Sequence, residues 1–442
     1  MVRSIGKTIS DLFHQKDYLS LLGLIALIVL VLGLPFSFGL SAILTGSLAC
    51  IAIVNFKKII ENYNDGFFKG YILHPLVVLL LFATTLYSNF QAGFKLAYLL
   101  NGFLIFPIII LSFAHFLKNV YKEILLLLIV SITLSSIITM IISFLPAETI
   151  IGFDFRMEYV KNTSAFGMYT PFMRRTQFSN YISISIILSA FLFYINYYRK
   201  FMGVLILWLI FFAFILGGRD SQLGLFFSLV LLFVFLVVPR IYKKFIARIG
   251  KPGAISLVII CGLLFLLSPL IAYKTIPPFT ERFDQTRWEL HTLKTGEYVN
   301  WDYEYFTTLS RFVSWKHNWD IIKEQPVLGA GVGDFGSNMQ KKYDNDDFNI
   351  PKDYHNFYLF LWGSGGIAIL LIFLIDIYIW VRFLLRNKRD ISFFGIAFLI
   401  CYLTIFAFDS TILAQMDNIF YHFIFCLIPI ISIAETRKIS GE

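Results

Sequence analysis

The chain is short of charge, and that shortage decides its class. Of its 442 residues 15% are Asp, Glu, Lys or Arg, against about 25% in soluble domains. Hydrophobic residues make up 58% and mean hydropathy is +0.74, so a soluble enzyme carrying an anchor is excluded, as is a disordered polar chain. Cysteine is scarce, with 4 in all. Cys50, Cys261, Cys401 and Cys426 sit inside apolar runs, where they read as small buried hydrophobes, and neither a disulfide nor a metal site is expected. Period-two alternation is missing from runs such as Leu76-Val77-Val78-Leu79-Leu80-Leu81, which excludes barrel strands. No small-residue cleavage pattern follows the polar start Met1-Val2-Arg3-Ser4, so Tyr18 onward reads as a retained span and not a removed signal.

Runs of about 18 or more apolar residues recur along the chain, and a backbone in lipid must satisfy its own hydrogen bonds, so these runs are helices. The fold class is all-α and polytopic, with about twelve spans. They begin near Tyr18, Phe38, Tyr71, Leu96, Ile124, Tyr181, Met202, Leu223, Ala254, Asn356, Ser392 and Met416. Residues 1–273 hold the first nine spans, 274–355 a periplasmic segment with an amphipathic helix, and 356–442 the last three. Two outer segments stand out, Pro146 to Arg175 and Lys274 to Tyr354, both longer than the roughly 15 residues beyond which a loop suggests function.

Orientation follows from the basic residues of the short loops. Lys57, Lys58, Lys69, Lys118, Lys122, Arg199, Lys200, Arg240, Lys243, Lys244, Arg248, Lys251 and the cluster from Arg382 to Arg389 share one side. The loops at Gly33 to Phe36, Ser88 to Gly93 and Ser410 to Gln415 carry no Lys or Arg. Both termini are expected in the cytoplasm. The net charge of +9 then reads as a topology signal and an affinity for anionic headgroups, with no nucleic-acid partner.

In the long outer segment, Phe306, Leu309, Phe312, Val313, Trp319 and Ile322 recur near helical spacing, which predicts an amphipathic surface helix over Tyr303 to Lys323. Gln325-Pro326 stops it. Gly329, Gly331 and Gly333 follow; their backbone amides either wrap an anion or simply turn tightly. His355 precedes Asn356, a plausible N-cap. Its ring either finishes the cap or serves as a proton acceptor, since a helix N-terminus disfavours the imidazolium. Arg219, in Gly217-Gly218-Arg219-Asp220-Ser221, either snorkels with Asp220 as its neutralising partner or grips phosphate oxygens with its planar fork. Arg311 is either a solvated charge or a cation held low against the membrane beside aromatics. Arg174 and Arg175 either anchor headgroups or join the same patch.

The run His355-Asn356-Phe357-Tyr358-Leu359 with Gly363-Ser364-Gly365-Gly366, the turn Gly218-Arg219-Asp220-Ser221, and Ser310-Arg311 to Trp315 followed by Gln325-Pro326-Val327-Leu328-Gly329-Ala330-Gly331 resemble the signature of the O-antigen ligase and O-antigen polymerase superfamily. The resemblance covers the second half of the chain; the first five spans match in hydropathy alone. It implies a glycosyltransferase that takes a glycan from undecaprenyl diphosphate at the periplasmic face, with no metal, no cofactor and no nucleotide sugar. His355 would be the essential base and Arg219 and Arg311 the diphosphate ligands. Two departures bear on this: Gly217-Gly218 stands where Ser commonly precedes the Arg, and Arg282 and Arg287 share the long loop with Arg311. The expected acceptor is the lipid A core oligosaccharide of a ligase, in preference to a growing glycan or a protein hydroxyl. A transporter or flippase would instead need repeated halves and a buried charge network, and the sequence displays neither.

Overall fold

In the computed structural model the described residues are 2–64, 69–144, 172–240, 277–295, 307–344, 355–386 and 390–440, with scattered positions between 242 and 275. They are helical, with no strand among them. In chain order the helices are α1 (Val2–His14), α2 (Tyr18–Gly33), α3 (Phe38–Val54), α4 (Phe56–Asn64), α5 (Leu73–Thr84), α6 (Phe90–Leu99), α7 (Gly102–Ser143), α8 (Arg175–Tyr194), α9 (Arg199–Leu216), α10 (Arg219–Leu232), α11 (Pro277–Thr295), α12 (Thr307–Glu324), α13 (Val332–Asp344), α14 (Phe357–Arg386), α15 (Asp390–Phe408) and α16 (Gln415–Ser440).

Seven of these are long and apolar enough to cross a membrane, and eight if α3 and α4, bent by 76°, form one broken span. The expected spans at Tyr18 and Tyr71 are shorter apolar helices, Tyr18–Gly33 and Leu73–Tyr87. The span expected at Ala254 falls largely outside the described residues, as does most of the outer segment before Arg175. The spans expected at Leu96 and Ile124 are not separated by a loop: α7 runs through both for 42 residues, about 63 Å at 1.5 Å per residue. The stretch from Lys118 to Glu123 contains no Gly or Pro to break the helix, and its charges are met locally. Lys122 pairs with Glu435 at 2.9 Å, and Glu123 accepts from the Tyr197 hydroxyl at 3.1 Å. The partners of α7 change at that point. Before it, the Gly102 amide donates to Asn418 of α16 at 2.8 Å; after it, Ser136 accepts from Trp208 of α9 at 2.7 Å.

α16 is the central post, with 94% of its apolar window buried against 33% for α9. Cys401 and Cys426 are buried free thiols, but Cys50 lies on an exposed face of α3 and is not the buried hydrophobe expected. The exposed side chains of α2, α3 and α9 are large and apolar, among them Leu22, Ile43, Val204 and Leu207, as lipid-facing helices require.

One end of the bundle is locked by a glycine corner. α14 breaks at Gly366, where φ is 75°, and the turn after α12 plugs the break. The Ile367 amide donates to the Pro326 carbonyl at 3.1 Å, and the Ala330 amide to the Gly363 carbonyl at 2.8 Å. A Cβ on Gly366 would lie 1.9 Å from the Val327 oxygen, so only glycine fits.

The interior also holds what the sequence did not display. Asp376 of α14, His74 of α5 and His422 of α16 are fully buried and joined in a line by hydrogen bonds. A buried charge network therefore exists, contrary to expectation. Each member is a lone polar residue in an apolar run, and the closest pair in sequence is 46 positions apart.

Candidate active site

The site begins at the corner between α9 and α10. Gly217 adopts the left-handed conformation, φ 71°, that ends α9. A Cβ on Gly218 would sit 2.1 Å from the Ser179 hydroxyl, so α8 packs directly on the turn. This accounts for the double glycine before Arg219. The turn delivers Arg219 to the first position of α10, where its guanidinium donates to Thr286 Oγ1 at 2.8 Å and to Gln285 Oε1 at 3.1 Å, both on α11.

Asp220 does not neutralise Arg219 as the sequence suggested; it accepts from Arg311 Nη2 at 2.8 Å. The helix start turns successive side chains about 100° apart, so Asp220 faces α12 while Arg219 faces α11. Arg311 and Asp220 are mostly covered, at 15% and 11% side-chain exposure. A pair so shielded attracts more strongly than one in open water.

α12 connects this pair to the histidine. Trp315 lies four residues after Arg311, about 6 Å further along the axis, and its indole Nε1 donates to the backbone oxygen of His355 at 2.9 Å. His355 itself has φ 46°, in the left-handed region that a β-carbon disfavours. Strain of that kind persists where the surroundings over-determine it and concentrates at functional positions. The surroundings are visible: Asn356 caps α14 through its side-chain oxygen, which accepts from the Leu359 amide at 2.9 Å, and its Nδ2 donates to the Ala407 carbonyl at 2.9 Å. The N-cap expected at Asn356 is thus present, and the distortion falls on the residue before it.

Arg175 lies within electrostatic reach of Arg219 and Asp220, whereas Arg174 is exposed at the N-cap of α8. Asn180, one further turn into α8, accepts from the Ser221 hydroxyl at 2.7 Å and donates to Asp417 of α16 at 3.3 Å. The acidic side of the site is therefore tied into the central post. Arg311 is paired with Asp220, Arg219 is the adjacent residue on the same turn, Arg175 lies within electrostatic reach of both residues of that turn, and Trp315 ties α12 to the backbone of the strained His355.

Residues 184–374 match the family model described as O-Antigen ligase. The matched segment is a little under half of the chain, and it is this segment that is similar to the O-antigen ligase family. The matched segment contains Arg219, Asp220, Arg311, Trp315 and His355. The chain is also 24% identical over 282 residues to the teichuronic acid biosynthesis protein TuaE of Bacillus subtilis (strain 168), a match covering 60% of this chain and 52% of that protein. The match therefore spans about half the length of the curated relative. The apolar helices describe a multi-pass membrane protein, and the matched segment gives it a region similar to the O-antigen ligase family.

Within the matched segment the glycine strip is a packing corner. The amides of Gly329 and Ala330 donate to the carbonyls of Gln325 and Gly363. Those of Val332 and Gly333 donate to the hydroxyls of Thr84 and Ser88. Gly329 and Gly331 have φ of 72° and 81°, and a Cβ on Gly333 would lie 2.0 Å from the Asn89 oxygen. Arg287 is exposed on α11, and the side chain of Arg282 lies outside the described residues.

α12 occupies Thr307–Glu324 as the spacing predicted, yet its covered face is more polar than an amphipathic surface helix allows. Ser310, Ser314, His317 and Asn318 are buried beside Val313, Ile321 and Ile322, while Trp319 is 42% exposed. Sequence reasoning also missed Gln285 and Thr286, and gave Trp315 no role beyond its place in the motif. Trp315 left a signal in its i, i+4 relation to Arg311; α11 and its two polar residues left none, because their contact to Arg219 spans 66 and 67 positions.

Proposed function

We propose that this protein is an inverting glycosyltransferase of the ligase type, moving a glycan from undecaprenyl diphosphate to the lipid A core oligosaccharide at the periplasmic face of the bacterial inner membrane, with both termini in the cytoplasm. The observation that carries the proposal is the linkage of Arg219, Asp220, Arg311, Trp315 and His355 into one structure from three separate parts of the chain. Arg219 and Arg311, with Arg175 beside them, bind the diphosphate and stabilise the negative charge that grows on it as the bond to the sugar C1 breaks, the role a divalent cation often plays. The acceptor hydroxyl attacks C1 from the opposite face and its proton passes to the His355 imidazole. The lipid-linked diphosphate leaves as the anion, and the anomeric configuration inverts. Donor and acceptor reach the site by lateral diffusion, so it opens sideways to lipid.

A polymerase reading, with another lipid-linked repeat as acceptor, uses the same residues. It is favoured by the similarity to a protein named for teichuronic acid biosynthesis. The purified protein is incubated with a lipid-linked glycan and each acceptor in turn, and the acceptor that gains the mass of the glycan identifies the reaction. Gain on the lipid A core supports the ligase, gain on a second lipid-linked repeat supports the polymerase, and binding of donor without mass gain on any acceptor refutes both.

A further inference from the structure

Asp376, His74 and His422 take no part in the transfer chemistry. All three are 0% exposed. His74 Nδ1 lies 2.6 Å from Asp376 Oδ2, and His74 Nε2 lies 2.8 Å from His422 Nδ1. One imidazole thus bridges a carboxylate and a second imidazole across three helices. The other carboxylate oxygen accepts from Trp380 Nε1 at 3.1 Å. His74 stacks on Phe425 at 4.5 Å, and Phe103 lies 4.6 Å from His74 and 4.1 Å from His422. A Cβ on Gly102 would come within 2.4 Å of the His422 ring, so α7 closes on the triad at a glycine. The ring nitrogens point at one another and at the carboxylate, not at a common centre, which is the geometry of a proton chain.

Two protons suffice to fill the two hydrogen bonds. Asp376 is then ionised, both histidines are neutral, and the triad carries one negative charge. A third proton makes His74 an imidazolium that donates in both directions and cancels the carboxylate, with both hydrogen bonds kept. The two states share one geometry and differ by one charge. The titratable groups that face the triad are Tyr421 and Cys426, with Tyr71 and Tyr358 next beyond them, phenols and a thiol that are neutral at ordinary pH. Among the described residues no Lys or Arg pairs with Asp376. An uncompensated charge among apolar side chains is disfavoured, and ionisable groups retained within membrane helices mark function more often than stability.

We propose that Asp376, His74 and His422 form an intramembrane proton-binding site whose ligand is one proton taken from water. When it is bound, the site joins α5, α14 and α16 as a neutral unit. When it is released in alkaline buffer, the same three helices enclose a net negative charge and the bundle loosens. α14 also carries the cap of His355 and α16 also carries Asp417, so proton occupancy bears on the helices that frame the transfer site.

The test is histidine-labelled NMR or infrared difference spectroscopy on the full-length protein in lipid nanodiscs, comparing mildly acidic with alkaline buffer, together with thermal unfolding in each. The wild type is expected to show one buried imidazolium signal that disappears in alkaline buffer, with a fall in unfolding temperature. Asp376→Asn should lose that signal and flatten the temperature difference. His355→Ala should retain the signal, which separates this site from the transfer site. If Asp376→Asn does not fold, His422→Gln, which keeps the pair of Asp376 and His74, should move the midpoint of the buried signal by at least a tenfold change in proton affinity. A wild type without a pH-responsive buried histidine, or variants that titrate as the wild type does, would overturn the proposal.

Discussion

Two charge clusters lie in this molecule, and they solve opposite problems. At the candidate site Arg311 pairs with Asp220 while Arg219 and Arg175 lie close by, and the Arg311 and Asp220 side chains keep 15% and 11% of their surface. In the interior Asp376 and His74 keep none and balance themselves with a shared proton. An excess of cations that water can still reach is suited to an anionic ligand, since the ligand supplies the missing charge on arrival. A sealed cluster has no such option, because charge without a partner in a low-dielectric interior is disfavoured by several kcal/mol. The difference teaches that partial exposure, more than the number of charges, separates a binding site from an internal proton site.

Substitutions can break that contrast or sharpen it. The largest effect is expected from His355→Ala, which should reduce transfer at least about a thousandfold, within the range for a lost general base, while expression and unfolding temperature hold. The contrast fails if His74→Gln lowers transfer as far and His355→Ala does not. Next comes Gly366→Ala, expected to destabilise by about 3 kcal/mol because a Cβ there meets the Val327 oxygen in a left-handed conformation. Thermal unfolding measures it, and a stable variant would show that the corner yields. Arg219→Lys should lower transfer about a hundredfold, since an ammonium cannot serve the two acceptors that the fork reaches; wild-type turnover would reduce Arg219 to an anchor.

Asp220→Asn should destabilise by about 1.5 kcal/mol by leaving Arg311 without its carboxylate in a mostly covered position. Added pyrophosphate should restore part of the unfolding temperature in the variant, and no response would mean that Arg311 does not meet the ligand. The smallest effect is expected from Asn356→Ala, about 1 kcal/mol for a lost N-cap, with a further fall in transfer if the cap also holds His355 in its strained backbone. Equal transfer per folded molecule in variant and wild type would confine Asn356 to capping.

Local patterns were legible where the chemistry is local. The apolar runs announced helices because lipid leaves a backbone no other partner. Asn356 announced the start of α14, Gln325-Pro326 the end of α12, and Gly217-Gly218 a turn. The His355, Arg219 and Arg311 positions carried the family signature, and the family model covers all three. Misreadings arose where local cues were neutral. Lys118 to Glu123 looked like a loop because it is polar, yet nothing in it breaks a helix. Asp220 looked like the partner of Arg219 because it is adjacent, yet adjacent side chains on a helix diverge. The glycine strip allowed either an anion loop or a tight turn, and the amides of Gly329, Ala330, Val332 and Gly333 already donate to Gln325, Gly363, Thr84 and Ser88.

The sequence by itself determined that this chain is helical and membrane-spanning, where its polar segments lie, and which family its motifs match, because hydrophobicity, turn residues and short signatures are properties of neighbours along the chain. Tertiary structure alone decided that Arg311 pairs with Asp220, that Gln285 and Thr286 hold Arg219, and that Asp376, His74 and His422 meet in the interior. Those pairings bring together residues between 66 and 348 positions apart. Helix packing sets which side chains face one another at such separations, and no periodicity within a single segment records it.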